Sequence, residues 1–246
     1  MPTMPQRTYK AVFFDLDGTL LPIDMDGFLE RYFGSIAAFA QSKGFDPQQF
    51  SSALNKGVRG MCTTEGGLNA DRFWNIFLEL MGETDRPRFE AIMQEFYEEH
   101  FDELADLVVN PDPAAARAVK ALKAKGYPLY LTTMPLFPRI AVEKRVQWAG
   151  VPVEAFSRIT TYDNSTSTKP RLDYYRENVE HIGLAPEDIL MVGNNTREDL
   201  VAMELGCDGY LVTNWLIDPD GYDIESVKHG TLAEFAEFAE QLPECE

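Results

Sequence analysis

Two carboxylates, Asp15 and Asp17, stand one residue apart at the end of the apolar run Tyr9-Lys10-Ala11-Val12-Phe13-Phe14 and just before Gly18. Unpaired carboxylates resist burial, so this is a poor way to finish a core and a good way to build a site. Asp15 at the tip has the chemistry of an anionic nucleophile. Asp17 reaches the same reacting group as a general acid or base. Together they suit Mg²⁺, a hard cation that takes oxygen ligands and keeps waters for a phosphate to displace. Gly18 permits a tight turn around such an ion. The plainer alternative is a strand followed by an Asp-Gly turn.

The elements that must position these residues can be read along the chain. Tyr9 to Phe14 reads as a buried strand of a parallel sheet, and open α/β sheets bind ligands beyond the carboxyl ends of their strands. From Leu21 to Leu107 the periodicity is helical. Phe28, Leu29, Tyr32, Phe33 and Ile36 recur on one face up to Gly44, and Asp46-Pro47 opens a second helix ending near Gly57. Asn69 reads as the cap of a third helix that stops at Gly82, and Pro87 opens a fourth. These aromatic faces are the core of a small bundle. Gly57 to Gly67, with Arg59, Thr63, Thr64 and Glu65, is the segment expected to face a ligand. From Pro111 strands alternate with helices: strands over Tyr127–Thr133, Phe156–Tyr162, Asp188–Val192 and Gly209–Thr213, with helices after Asp112, Pro138, Lys169-Pro170 and Thr196. Thr231 and Glu234 form a capping box for the last helix. Such alternation implies a doubly wound parallel sheet with right-handed crossovers. Residues 1–20 and 108–246 therefore make an α/β core domain, and 21–107 an inserted all-helical cap domain hinged near Pro22 and Val109.

Asp15-Leu16-Asp17-Gly18-Thr19-Leu20 closely resembles the first motif of the haloacid dehalogenase (HAD) superfamily, mostly Mg²⁺-dependent phosphohydrolases working through an aspartyl-phosphate. The resemblance spans nearly the whole chain and implies a strand order of 5-4-1-2-3. Thr133 looks like the second motif, whose hydroxyl holds a phosphoryl oxygen, although a strand-end threonine needs no such role. Met134 follows where the family often has asparagine. Lys169 looks like the third motif, which neutralises the nucleophile and the transferring phosphoryl; a lone lysine is otherwise a solvated surface residue. Gly193 to Asp199 resembles the fourth, acidic motif. Asp199 is present, while Asn194 and Asn195 stand where the first acid falls, and Asn195 is the stand-in suggested by a branch that reads Gly-Asn-Asp. Asp199 equally suits a capping-box acid behind Thr196. The resemblance thus implies Asp15, Asp17, Thr133 and Lys169 as catalytic, Gly18, Thr133, Met134 and Lys169 as phosphate-binding, and Asp15, Asp17, Asn195 and Asp199 as Mg²⁺ ligands. Asp17 sets the chain apart from haloacid dehalogenases proper. A phosphosugar mutase shares the same site, and a family member with weakened catalysis and a binding role is the reading that Asn195 and Met134 favour.

Composition bounds the partners. The 246 residues suffice for one domain with an insert, or for two small domains. A formal net charge of −18 leaves no Lys/Arg cluster for nucleic acid and repels a phosphate at long range, so local cations must dominate wherever one binds. Cys62, Cys207 and Cys245 have neither metal nor redox spacing and suit a reducing cytoplasm. No run is apolar enough to span a membrane, and Met1 to Arg7 contains no apolar signal region. The expected partner is a small phosphorylated substrate; nothing in the sequence speaks to oligomeric state.

Overall fold

The computed structural model describes residues 8–108 and 110–245. Six strands, β1 (Ala11–Phe14), β2 (Leu129–Leu131), β3 (Phe156–Ile159), β4 (Ile189–Gly193), β5 (Asp208–Val212) and β6 (Lys228–Gly230), form one parallel sheet in the order β3-β2-β1-β4-β5-β6. Read from the other edge, this is the expected 5-4-1-2-3 extended by one strand. The addition, β6, is three residues of Lys-His-Gly on an edge, half-exposed and without an apolar run. No periodicity signals such a strand.

The central strands are buried on both faces. Val12, Phe14, Leu190 and Val192 point into the larger core, while Ala11, Phe13, Ile189 and Met191 point into a second one with Tyr174 and Tyr175. Covering helices are α5 (Pro113–Ala124) and α8 (Leu232–Gln241) on one side and α7 (Leu172–Ile182) on the other. The Thr231/Glu234 capping box is present at the start of α8. α6 (Arg139–Trp148) follows β2.

Between β1 and α5 lie α1 (Met25–Ser42), α2 (Pro47–Thr63), α3 (Asn69–Met81), α4 (Arg86–Glu99) and a 3₁₀ segment, Phe101–Leu107; no strand of the sheet occurs among the described residues there. Val109, expected near one hinge, lies outside the described residues, as do Met1 to Arg7. Aromatic rings fill the insert: Phe50, Phe77 and Phe89 meet edge to face, and Tyr32 stacks on Tyr97. Phe28 and Tyr32 reach Phe137, which follows β2, so the insert sits over the strand tips on a continuous apolar core.

Three local expectations are revised. Asn69 is not the cap of α3; Leu68 occupies that place. The Asn69 side chain is fully buried, its Nδ2 donating to Pro135 O (3.1 Å) and Ser167 O (3.0 Å), while its Oδ1 accepts from Arg72. Gly57 to Gly67 is not a free loop. α2 continues to Thr63, and Arg72 holds the carbonyls of Met61, Gly66 and Gly67. Thr196 caps no α-helix. A 3₁₀ turn, Leu200–Leu205, stands there instead, and the Thr196 hydroxyl donates to Asp218 (2.9 Å).

Candidate active site

Backbone pairing beyond the ends of the strands assembles the site. Asp15 N–H donates to Val192 O (2.9 Å) and Thr132 N–H to Phe14 O (2.7 Å), so Asp15 lies between the ends of β4 and β2. The following loop is closed by the N–H groups of Thr19, Leu20 and Leu21, all donating to Leu16 O, and by Gly18 N–H to Leu21 O (2.8 Å). Gly18 has φ +79°, and a Cβ there would stand 2.2 Å from Asn194 Nδ2. Gly193 is needed for the same kind of close approach, because a Cβ would collide with the Asp199 carboxylate at 2.2 Å.

Lys169 is 3% exposed and bridges two carboxylates, Asp15 Oδ1 (2.7 Å) and Asp199 Oδ1 (2.6 Å). Burial alone would lower its pKa; Asp15 and Asp199 outweigh that and raise it well above the ordinary lysine value, so the ammonium persists. Burial likewise raises Asp199 to about 6, against the pull of Lys169. The second Asp199 oxygen accepts from Asn195 N–H (2.9 Å). The other Asp15 oxygen accepts from the Thr19 hydroxyl (3.1 Å), which also contacts Asn194 Oδ1 (3.1 Å).

The asparagines divide their roles in a way the sequence did not anticipate. Asn195 Oδ1 accepts the N–H groups of Arg197 and Glu198, both at 3.1 Å, and so holds the turn. Asn194 is the residue whose side-chain oxygen faces the Asp15 loop, with its Nδ2 anchored on Trp215 O (2.6 Å).

Arg145, from α6, is a site residue with no sequence motif. Its side chain is 1% exposed, and Nη1 donates to Asp17 Oδ2 at 2.5 Å. The guanidinium lies 4.5 Å above the Phe137 ring and 5.8 Å from that of Phe28. Burial raises the Asp17 pKa more than Arg145 lowers it, and neighbouring Asp15 raises it further. The signal available in the sequence was position. Ala141, Val142, Arg145, Val146 and Ala149 share one buried helical stripe, and an arginine on such a stripe demands a partner.

A cavity of about 250 Å³ opens among these groups, lined by Asp15, Asp17, Thr133, Met134, Arg145, Asn194, Asn195, Glu198 and Asp199, with Met25, Leu29, Leu136, Phe137 and Ile217 supplying an apolar wall. Three buried polar atoms of its lining residues have no hydrogen-bond partner among the described residues: Asp17 Oδ1, Thr133 Oγ1 and Arg145 Nη2. Native interiors seldom leave such groups unpaired, and three around one cavity mark a place where a polar ligand completes the bonding. Glu198 beside them is pushed up to about 7 by burial. The structure therefore brings together all the sequence-expected site residues, turns Asn194 rather than Asn195 toward the Asp15 loop, and adds Thr19, Arg145 and Glu198. Arg59 is exposed and is not among the residues lining this cavity.

For a divalent cation the donors are hard oxygens. Among the described residues no three His, Cys, Asp or Glu side chains form a metal cluster. The unpartnered Asp17 Oδ1, an Asp15 oxygen and Asn194 Oδ1 have the chemistry Mg²⁺ accepts.

Comparison with known proteins agrees with this geometry. The chain is 27% identical over 217 residues to the glyceraldehyde 3-phosphate phosphatase of Methanothermobacter thermautotrophicus, covering 88% of this chain and 91% of that protein. It is 28% identical over 116 residues to the phosphoglycolate phosphatase of Shigella boydii, covering 47% and 45%. In fold it resembles a HAD phosphatase from Thermococcus onnurineus, with a TM-score of 0.58 at 19% identity over 96% of this chain and 99% of that one. The family profile of haloacid dehalogenase-like hydrolases matches residues 9–205, from the strand that presents Asp15 to the turn beyond Asp199, and the chain belongs to that family.

Proposed function

We propose that the chain is a Mg²⁺-dependent phosphohydrolase of small phosphorylated metabolites, working through an aspartyl-phosphate on Asp15. The observation that carries this reading is the trio of unpartnered polar atoms around one cavity beside the Lys169-bound Asp15. Mg²⁺, when bound, would supply positive charge to the phosphoryl oxygens, and side-chain oxygens of Asp15 and Asn194 would hold it, which leaves Asp17 Oδ1 for proton transfer.

Asp15 attacks phosphorus; an Oδ–P bond forms and the bond to the leaving oxygen breaks. Asp17 gives that oxygen a proton from Oδ1 while Oδ2 stays on Arg145. It then takes a proton from the water that attacks phosphorus and releases Asp15. A buried carboxyl with a raised pKa and one uncommitted oxygen suits both tasks. Lys169 offsets the charge on Asp15 and Asp199, and the Thr133 hydroxyl donates to a phosphoryl oxygen. The two phosphatases named above act, by their names, on small phosphorylated compounds, which supports the same substrate class here.

Asp15→Asn tests this directly, because an amide removes the nucleophile. Phosphate release from an aryl phosphate with Mg²⁺ should fall by at least about a thousandfold while circular dichroism stays unchanged. Turnover close to that of the parent protein rules out the covalent route.

A further inference from the structure

We propose that this site selects phosphate monoesters whose leaving alcohol is uncharged and largely apolar, and discriminates against esters that carry a second anionic group. The inference rests on the phosphohydrolase reading and concerns the part of the cavity beyond the phosphoryl group.

The charges around the cavity are already allocated. Four carboxylates border it, those of Asp15, Asp17, Glu198 and Asp199. Two cations meet them. Lys169 is bound on both sides by Asp15 and Asp199, and Arg145 is bound to Asp17 at 2.5 Å. Arg145 is the one basic residue lining the cavity among the described residues, and the bordering carboxylates outnumber Arg145 and Lys169 even when Asp17 carries the proton it donates. A phosphoryl group is served by Lys169, Thr133 and the cation that Asp15 and Asp17 attract. A carboxylate elsewhere on the substrate would meet no unmatched cation, and an unpaired buried charge is costly.

The remaining wall is apolar: Met25, Leu29, Met134, Leu136, Phe137 and Ile217. Three elements supply it, namely α1, the segment from β2 to α6 that includes Phe137, and the Ile217 loop tied to Asn194 O by its N–H (2.9 Å). The volume of about 250 Å³ exceeds the roughly 150 Å³ apolar cavity that takes a benzene ring. It has room for a phosphoryl group and a compact apolar body. Arg145 Nη2 remains as a single donor for a neutral acceptor on that body, such as an ether or hydroxyl oxygen. Phosphoglycolate, with its carboxylate, has the wrong charge for this wall, although part of the chain resembles a phosphoglycolate phosphatase.

The test compares phenyl phosphate with 4-carboxyphenyl phosphate, with phosphoglycolate as a third substrate, under saturating Mg²⁺. The expected result is a kcat/KM at least about tenfold higher for phenyl phosphate than for either anionic ester. Equal or reversed values overturn the inference and leave the phosphohydrolase reading standing. Leu29→Lys, on half-buried α1 surface outside the catalytic groups, should narrow the gap between the two aryl esters; an unchanged gap in folded protein also counts against the assignment. Should no ester turn over, the phosphohydrolase reading fails, and calorimetry with benzylphosphonate and 4-carboxybenzylphosphonate decides the selectivity. Tighter binding of the uncharged phosphonate supports it, and equal binding or none overturns it.

Discussion

At the scale of residues, the Asp17–Arg145 pair carries the clearest consequences. Both side chains are nearly inaccessible, and removing one partner of a buried pair strands the other. Arg145→Met should lower unfolding free energy by about 3–5 kcal/mol in denaturant titration, and the double variant Asp17→Asn/Arg145→Met should recover much of that loss. A double-variant loss equal to the sum of the two single-variant losses would mean that the pair contributes nothing as a pair. The asparagines yield a second prediction. Asn194→Asp adds a charged oxygen where the Asp15 loop faces it, and charge count tunes hard-cation affinity. Mg²⁺ binding by calorimetry should tighten about tenfold, ~1.4 kcal/mol. Asn195→Asp should change it little, because that oxygen is committed to the Arg197 and Glu198 N–H groups. The legibility of the site followed the same division. Asp15, Asp17, Thr133, Lys169 and Asp199 were readable because they sit at strand ends or before a helix, where side-chain direction follows from the fold. Which of two adjacent asparagines faces inward depends on hydrogen bonds to Thr19 and Trp215, far away in sequence, and no spacing encodes it.

Among elements, the strands and long helices were legible because burial on two faces or on one stripe leaves a period. Boundaries moved where polar side chains took unexpected partners. Asn69 looked like a cap because caps are its commonest use, yet it anchors α3 to the carbonyls of Pro135 and Ser167 at the core. Asn69→Ala should therefore cost more than a lost cap, about 2–3 kcal/mol, since those carbonyls and Arg72 lose a buried partner. Limited proteolysis should show faster cleavage between Thr64 and Leu68. A variant as stable and as resistant as the parent would refute the anchoring role. Edge strand β6 stayed hidden for the opposite reason: with one neighbour and half-exposed side chains, it needs no apolar pattern.

The whole molecule is strongly acidic, and its acid response depends on which carboxylates have gained partners. Asp208 ties β5 to Lys228 on β6 and to Tyr9, just before β1. Burial pushes its pKa up, but Lys228 (2.6 Å) and the Tyr9 hydroxyl (2.6 Å) outweigh this and hold it below the usual carboxylate value. A depressed folded pKa stabilises the fold above the unfolded value, about pH 4, and that contribution disappears as pH falls through the folded value. Asp208→Asn should lower Tm at pH 7, and the difference from the parent should shrink progressively below about pH 4. A difference independent of pH would assign the effect to packing rather than charge. No helix among the described residues is long and apolar enough to cross a membrane.

The loop from Asp15 to Leu21 also has a mechanical meaning. It carries both carboxylates and connects β1 to the helical insert. Three N–H groups converge on the single carbonyl of Leu16, and Leu16, Leu20 and Leu21 are fully buried. Such a knot transmits little bending. Any displacement of the helical insert would therefore be taken up after it, in Pro22 to Asp24, and would leave the Asp15 and Asp17 carboxylates where the sheet holds them.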